Sequence, residues 1–245
     1  MTRTLFFDIE TNKIKDWATL SDLHTCHCLS VYDPMLPKML TFHGESIERG
    51  LLMLSQAERL VGHNVIDFDI PALKKLYGFS PPLVNVLDTL VLSRCTFPDV
   101  KTTDIIERTR LSYKPKQEAI ELAKKQELDD EEAKKFIDDY VYEAVVKKFN
   151  KDILGSHSLK AWGHRMGSAT KLTYAEDDDA FEVYDEEMRK YCERDVIVTQ
   201  LLYDHLFKHN PSKEMIAIEH WFKFIISQQE RHGFKFDIKK AEALE

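Results

Sequence analysis

The stretch that decides the fold is Leu5-Phe6-Phe7-Asp8-Ile9-Glu10-Thr11, near the amino terminus. Its short apolar run, rich in aromatic residues, predicts a buried β-strand. Side chains alternate between the two faces of a strand, so Asp8 and Glu10 share one face and Ile9 lies on the other. Two carboxylates on one face repel each other unless a partner neutralises them. The pair is therefore either a strand end that meets water or half of a site for Mg²⁺ or Mn²⁺.

The composition is that of a soluble globular protein with a core, with 43% hydrophobic and 31% charged residues among 245. A net charge of −8 does not favour nucleic-acid binding by the molecule as a whole. Basic stretches at 114–116, 147–151 and 160–171 still allow a local basic track. No stretch reaches the ~18 apolar residues of a membrane span, and the first apolar run is too short for a signal peptide.

Four cysteines, at 26, 28, 95 and 192, are too few and too scattered for a disulfide framework, which indicates a reducing compartment. The stretch His24-Thr25-Cys26-His27-Cys28 contains zinc-ligand residue types, but no second His/Cys cluster follows at zinc-site spacing. Its surroundings alternate like a strand, so we favour a structural role for it. The sequence also lacks the glycine patterns of phosphate-binding loops.

The remaining pattern predicts strands first and helices interspersed around them. Strands at 4–8, 25–33 and 38–43 form an antiparallel meander, and further strands lie within 58–64 and 84–92. Helices are predicted at 46–57, 69–77, 158–166, 184–208 and 214 onward, with two more in 115–149 that are separated at Leu128-Asp129-Asp130. This order predicts an α/β fold, a mixed sheet flanked by helices.

A second acidic candidate, Asp69, ends the stretch Gly62-His63-Asn64-Val65-Ile66-Asp67-Phe68-Asp69. It precedes a predicted helix, where the positive helix end also favours an acid as a cap. Capping and metal binding are therefore equally good interpretations of Asp69. Asp67 competes with it, but we expect Asp67 to face solvent. Asn64 can both donate and accept hydrogen bonds in this loop.

A third acidic candidate, Asp195, lies one helical turn after Tyr191. The face that they share on the predicted helix is otherwise apolar, and it carries Met188, Cys192, Val198 and Leu202. An aspartate on a core face requires a partner. Either a neighbouring polar group satisfies Asp195, or it joins a metal cluster with Asp8 and Glu10. Cys192 is interpreted as part of the core.

The three motifs together, D-x-E, HN-x4-D and Y-x3-D, resemble the DEDDy branch of the DnaQ-like 3′→5′ exonucleases. The resemblance is closer still to the proofreading domain of family A DNA polymerases from T7-like phages. It is carried by HNVIDFDIPALKKL (63–76), DTLVLSR (88–94), LGSHSLKAWGHRMG (154–167) and YCERDVIVTQLL (191–202). It implies a ribonuclease H-like α/β fold whose mixed sheet combines an antiparallel meander with parallel strands. The exonuclease domain would span 1–210 with a helical insertion at about 112–150, and 211–245 would be a helical extension resembling the start of the polymerase thumb linker.

The resemblance also implies roles for single residues. Asp8, Glu10, Asp69 and Asp195 would bind two Mg²⁺ or Mn²⁺ ions per site, and Tyr191 would orient the attacking water. Thr11, Asn64 and Phe68 would contact the substrate. The basic residues Lys160, His164, Arg165 and Lys171 either track the phosphate backbone or form a solvated surface, two interpretations of equal weight.

The implied reaction is hydrolysis of the 3′-terminal phosphodiester of single-stranded or frayed DNA, which releases nucleoside monophosphates in proofreading. The expected partners are 3′ ends of single-stranded DNA and a DNA polymerase, in the same or a separate chain, with no membrane. The expected location is the cytoplasm, that of a host cell if the protein is phage-encoded. Three alternatives stay open: a catalytically weak module that binds nucleic acid or protein in a replication complex, a stand-alone RNA 3′ exonuclease, and a ribonuclease H-like endonuclease, against which Y-x3-D argues.

Overall fold

The structure, a computed structural model, describes residues 3–15, 19–36, 39–150, 152–167 and 182–242. Within these ranges five strands form one sheet: β1 (Thr4–Thr11), β2 (Cys26–Tyr32), β3 (Leu40–His43), β4 (Arg59–Gly62) and β5 (Val86–Asp88). The order across the sheet is β3-β2-β1-β4-β5. β2 pairs antiparallel with β1 and β3, whereas β4 pairs parallel with β1 and β5. This mixed sheet confirms the predicted fold class and is consistent with a ribonuclease H-like fold.

The helices flank the sheet and agree in order with the sequence prediction. They are α1 (Ile47–Ser55), α2 (Asp69–Tyr77), α3 (Thr89–Thr96), α4 (Val100–Lys125), α5 (Asp130–Ala144), α6 (Leu159–Arg165), α7 (Glu186–Phe207), α8 (Lys213–His232) and α9 (Ile238–Glu242). The predicted break between α4 and α5 is confirmed. Asp129 caps α5 by accepting from the backbone of Glu131 and Glu132, and the Glu132 side chain accepts from the backbone of Asp129 in return.

Two elements are longer than the sequence pattern predicted. β1 continues to Thr11 because Ile9, Glu10 and Thr11 keep pairing with β2, with an irregularity in register between Glu10 and Thr11. α4 begins at Val100, where the buried side chains of Val100 and Asp104 fix its first turns, and it continues through Pro115. The insertion at 112–150 stays a prediction, as does the domain boundary near 210.

The two faces of β1 belong to different parts of the core. Leu5, Phe7 and Ile9 are buried in a hydrophobic cluster that also contains side chains of α1 and α2. Phe6, on the opposite face, packs in a second cluster with Val196 and Leu202 of α7. Alternation along the strand therefore directs Asp8 and Glu10 towards α7, opposite Ile9, as the sequence predicts.

The cysteine-rich stretch contributes to the core. Cys26 and Cys28 are buried in β2, and both are free thiols. Their burial agrees with the structural role that the alternating pattern predicts. In the part of the chain that the structure describes, no helix is both long and apolar enough to cross a membrane.

Candidate active site

Four carboxylates from three separate parts of the chain meet beside the central strand. Asp8 and Glu10 come from β1, Asp69 is the first residue of α2, and Asp195 lies on α7. Loss of solvent raises the pKa of Asp8 well above its usual range, and the negative charges of Asp69, Glu10 and Asp195 raise it further. The three acidic motifs therefore converge closely enough for each charge to oppose the ionisation of Asp8.

The other three carboxyl groups are perturbed in the same direction, and burial is the largest cause for each. The pKa of Glu10 is raised well above its usual range by burial and then by the charges of Asp195 and other neighbours. Burial raises the pKa of Asp69 to about 8 and that of Asp195 to about 7. Without a cation the cluster therefore retains protons near neutral pH, because burial disfavours the charged form of each acid and neighbouring charges oppose the ionisation of Asp8 and Glu10 further.

The loop that delivers Asp69 passes very close to β1. It starts after Gly62, the last residue of β4, and a Cβ atom on Gly62 would lie 2.1 Å from Val65 Cγ1 and 3.1 Å from the carbonyl oxygen of Phe7. Any larger residue at this position would push the loop away from the strand. Gly62 thus allows Asp69 to approach the carboxylates of β1.

Asp88 fixes the same loop from the other side, and sequence analysis missed it. Its buried carboxylate accepts hydrogen bonds from the backbone N–H groups of Asn64 at 2.9 Å and Ile66 at 3.1 Å. It also caps α3 by accepting from the backbone of Leu90 at 2.9 Å. Asn64 adopts a left-handed conformation with φ of 65°. Asp88 lies between a strand and a helix, where acidic caps are common, but no local pattern indicates its second role in holding the loop.

The capping interpretation of Asp69 is wrong. Phe68 occupies the N-cap position of α2 without a side-chain cap hydrogen bond, and Asp69 lies inside the first turn with 3% of its surface exposed. Oδ1 of Asp69 has no hydrogen-bond partner among the residues that the structure describes. A buried carboxylate oxygen without a partner is costly, so this atom is available to a cation.

Tyr191 is hydrogen-bonded to Asp195, one turn further along α7. Burial and the charges of Asp195, Glu10 and Asp8 all raise the pKa of the Tyr191 hydroxyl. The phenol therefore stays protonated and donates to the Asp195 carboxylate. Its hydroxyl is held at the edge of the four-acid cluster.

Asp8, Glu10 and Cys192 form a candidate metal-binding cluster, because one ligand atom of each lies within 4.8 Å of the other two. The thiol of Cys192 donates to the carbonyl oxygen of Asp8 at 3.4 Å, and burial is the main cause that raises its pKa. An uncharged thiol is a poor ligand for a hard cation. Cys192 packs with Cys28 and Met188, as its predicted core role requires. The carboxylate oxygens that remain are a donor set that fits Mg²⁺ or Mn²⁺.

The predicted substrate contacts Thr11, Asn64 and Phe68 lie close in sequence to Glu10 or Asp69. Thr11 follows Glu10 on β1 and is buried, with its hydroxyl donating to the carbonyl of Asn12 at 3.0 Å. Asn64 and Phe68 are half-buried on the loop that ends at Asp69. Their contact with a substrate stays a prediction.

Lys160 and Arg165 both form ion pairs on or near α6. Nε and Nη2 of Arg165 lie 2.8 and 2.7 Å from the two carboxylate oxygens of Asp104, and only 13% of its side chain is exposed. Lys160 lies 3.1 Å from Asp152, with 62% of its side chain exposed. The buried pair argues against a phosphate contact by Arg165, whereas an exposed pair such as that of Lys160 exchanges readily with other ions. Lys171 lies outside the described residues.

The expectation that Asp67 faces solvent is wrong. Its side chain is 27% exposed and forms an ion pair with Lys223 of α8. Nη2 of Arg231, also on α8, donates to the Asp67 carbonyl oxygen. These contacts join elements far apart in the chain, so local pattern did not indicate them.

Comparisons with known proteins relate the chain to phage DNA polymerases. No protein-family model matches it. The DNA-directed DNA polymerase of Escherichia phage T7 is 28% identical over 282 residues, covering 97% of this chain. The corresponding polymerase of Enterobacteria phage T3 is 27% identical over 285 residues, covering 98%. The chain spans 34% of the length of each of these relatives.

Proposed function

From the similarity to phage DNA polymerases and the convergence of four carboxylates with a tyrosine, we propose that the protein is a metal-dependent 3′→5′ exonuclease. It hydrolyses the terminal phosphodiester of single-stranded or frayed DNA and releases nucleoside monophosphates. The observation that carries the proposal is the cluster of Asp8, Glu10, Asp69 and Asp195, in which, besides burial, the charges of Asp69 and Asp195 raise the pKa of both Asp8 and Glu10. The related polymerases support DNA as the substrate class and proofreading as the role.

The acidic cluster would hold two Mg²⁺ or Mn²⁺ ions. When bound, such ions lower the pKa of a coordinated water and stabilise the charge of the departing 3′ oxygen. The protein's own contribution is to hold four carboxylates at fixed positions, two on the central strand and two on helices packed beside it. Rigid placement lowers the cost of assembling the reacting groups.

Tyr191 orients the attacking water and does not itself remove a proton. Its hydroxyl donates to Asp195, and a phenol oxygen that donates one hydrogen bond can also accept one, here from the water. Its raised pKa keeps the hydroxyl protonated across the neutral range. A fixed acceptor restricts the water to one line of approach, which contributes through orientation.

The loop residues Asn64 and Phe68 and the strand residue Thr11 hold the terminal nucleotide beside the carboxylates. A half-buried aromatic side chain such as Phe68 offers a surface for base stacking, which tolerates any base. Asn64 supplies both a donor and an acceptor. An enzyme that removes any mismatched 3′ end requires such sequence-tolerant contacts.

The proposal is tested with a 5′-labelled single-stranded DNA incubated with the protein and Mg²⁺. We expect products that shorten stepwise from the 3′ end, no cleavage in EDTA, and no cleavage by the double variant Asp8→Ala, Glu10→Ala. Circular dichroism of that variant verifies that it is folded. Internal cuts would indicate an endonuclease, preference for an RNA of the same sequence would indicate an RNA-trimming enzyme, and activity retained by the double variant would refute the site.

A further inference from the structure

Two cationic side chains of helix α8 contact Asp67, a residue of the loop between β4 and α2. Nζ of Lys223 pairs with the carboxylate of Asp67, and Nη2 of Arg231 donates to its carbonyl oxygen. The side chain and the main chain of one loop residue are thus both held by α8. The two cations lie eight positions apart, about two helical turns on one face.

These contacts are shielded from water and preorganised. The side chains of Lys223 and Asp67 are 19% and 27% exposed, so solvent screens their attraction less than at an open surface. Nη1 of Arg231 donates to the hydroxyl of Ser227 at 2.5 Å, and Ser227 is buried. This second bond fixes the guanidinium in the orientation that reaches the loop.

The position of Asp67 sets the positions of the functional residues around it. The backbone N–H groups of Asp67 and Phe68 both donate to the carbonyl oxygen of Asn64, at 3.2 and 3.1 Å. Asp69 follows one residue later and begins α2. In so tight a turn, a displacement of Asp67 moves Asn64, Phe68 and the carboxylate of Asp69 together.

A second connection runs from α8 to the other side of the same loop. Nε2 of His220 accepts a hydrogen bond from the backbone N–H of Asp88 at 2.8 Å, and both residues are buried. The carboxylate of Asp88 in turn holds the backbone of Asn64 and Ile66. The loop is therefore fixed between two attachments, and both of them lead to one helix.

We propose that α8 is a positioning element for the candidate active site, with Lys223 and Arg231 as positioning residues that act through Asp67 on Asn64, Phe68 and Asp69. The expected effect of these residues on the cleavage rate rests on the proposed nuclease function, whereas their expected effect on the loop does not. Any protein or segment that shifts α8 then changes the activity of the site without touching the substrate. The effect falls on the rate of the cleavage step, because a misplaced carboxylate weakens stabilisation of the transition state.

The first experiment compares Lys223→Met, Lys223→Arg and the control Lys213→Met, which removes an exposed lysine from the same helix. Hydrogen exchange of peptides covering residues 63–69 is expected to accelerate on the order of 10-fold in Lys223→Met, and to stay unchanged in the other two. The single-turnover rate of DNA cleavage is expected to fall on the order of 10- to 100-fold in Lys223→Met and to be retained in Lys223→Arg, because a small misplacement of a reacting group is enough to cost that much.

The charge-swapped pair Asp67→Lys with Lys223→Asp supplies the second measurement. It restores an ion pair of reversed polarity, so it is expected to recover slow exchange of the loop relative to either single variant. This comparison still tests the proposal if Lys223→Met fails to fold. Equal exchange in Lys223→Met and Lys213→Met overturns the proposal. An equal loss of activity in Lys223→Met and Lys223→Arg also overturns it. A wild-type protein that cleaves no DNA refutes the proposed function alone, because the exchange measurements do not depend on catalysis.

Discussion

Oδ1 of Asp88 lies 2.9 Å from the backbone nitrogen of Asn64, so the end of β5 holds the loop that follows β4. The same carboxylate also accepts from Ile66 and Leu90. One buried side chain therefore joins two parallel strands, a helix cap and the loop leading to Asp69. The site therefore depends on a residue outside the proposed set of metal ligands.

Asp88→Ala is expected to lower the free energy of unfolding by about 3–5 kcal/mol, because it leaves several buried N–H groups without an acceptor. Asp88→Asn keeps one acceptor oxygen and is expected to cost less. Urea denaturation followed by circular dichroism measures both. The control is Asp99→Ala, since Asp99 precedes α4 without making a side-chain cap. Equal stability of Asp88→Ala and wild type would contradict the structural role of Asp88.

Glu10→Gln is expected to stabilise the metal-free protein while abolishing nuclease activity. It removes an acid whose pKa is raised well above its usual range by burial and by neighbouring charges, so the variant no longer carries the free-energy cost of burying that acid. A gain of about 1–2 kcal/mol corresponds to roughly one unit of raised pKa. Thermal unfolding in EDTA measures this gain, and adding Mg²⁺ is expected to stabilise wild type more than the variant. A variant less stable than wild type in EDTA would show that the Glu10 carboxyl group does not destabilise the metal-free protein.

Without metal, stability is expected to fall as pH rises from about 4 to about 8. The pKa values of Asp69 and Asp195 are raised to about 8 and about 7 from an unperturbed 3.8. Between those limits the folded state holds protons that the unfolded chain has lost, so each rise in pH favours unfolding. Each titrating group contributes a slope of up to about 1.4 kcal/mol per pH unit.

Chemical denaturation at several pH values in EDTA measures this dependence. Asp69→Asn removes one titrating group, so its stability is expected to decline less steeply than that of wild type. Mg²⁺ binding competes with these protons, and nuclease activity is therefore expected to rise over the same pH range. A wild-type profile that is flat from pH 5 to 8 would mean that these carboxyl groups titrate normally.

Arg165→Met is expected to destabilise the fold by about 3–5 kcal/mol, because it leaves the buried carboxylate of Asp104 unpaired. Lys160→Met is expected to leave stability unchanged, since its ion pair is exposed. DNA affinity measured at several salt concentrations distinguishes a phosphate contact from a purely structural ion pair. If Lys160 contacts a phosphate, the salt dependence of DNA affinity is weaker in Lys160→Met by about one charge. A similar decrease in the salt dependence of DNA binding in a stably folded Arg165 variant would indicate that Arg165 contacts the phosphate backbone.

The sheet and its acidic residues could be predicted because their signals are local. Alternation in residues 5–11 fixed the faces of β1, and the spacing of Tyr191 and Asp195 placed both on one face of α7. The predicted bounds of α2, 69–77, agree with the structure, because Gly78 ends the helix in a left-handed conformation. Periodicity and turn chemistry act over a few residues, so a single sequence records them.

The contacts of Asp67, Asp88 and Arg165 could not be predicted because each joins segments distant in sequence. Asp67 was expected in solvent, yet a helix more than a hundred residues later covers it. Arg165 belonged to a basic stretch in the sequence, but folding places it against Asp104. Nothing in a local pattern distinguishes a free charge from one that a distant partner neutralises.

The central position of β1 determines the order in which the candidate site comes apart. Hydrogen bonds to β2 and β4 on both sides make β1 the segment that opens last during partial unfolding, whereas helix ends and loops open first. Asp8 and Glu10 therefore stay in place while Asp69 or Asp195 departs. Brief local opening would leave a two-carboxylate remnant on an intact strand, and reclosing the loop or α7 would rebuild the whole site without refolding the sheet.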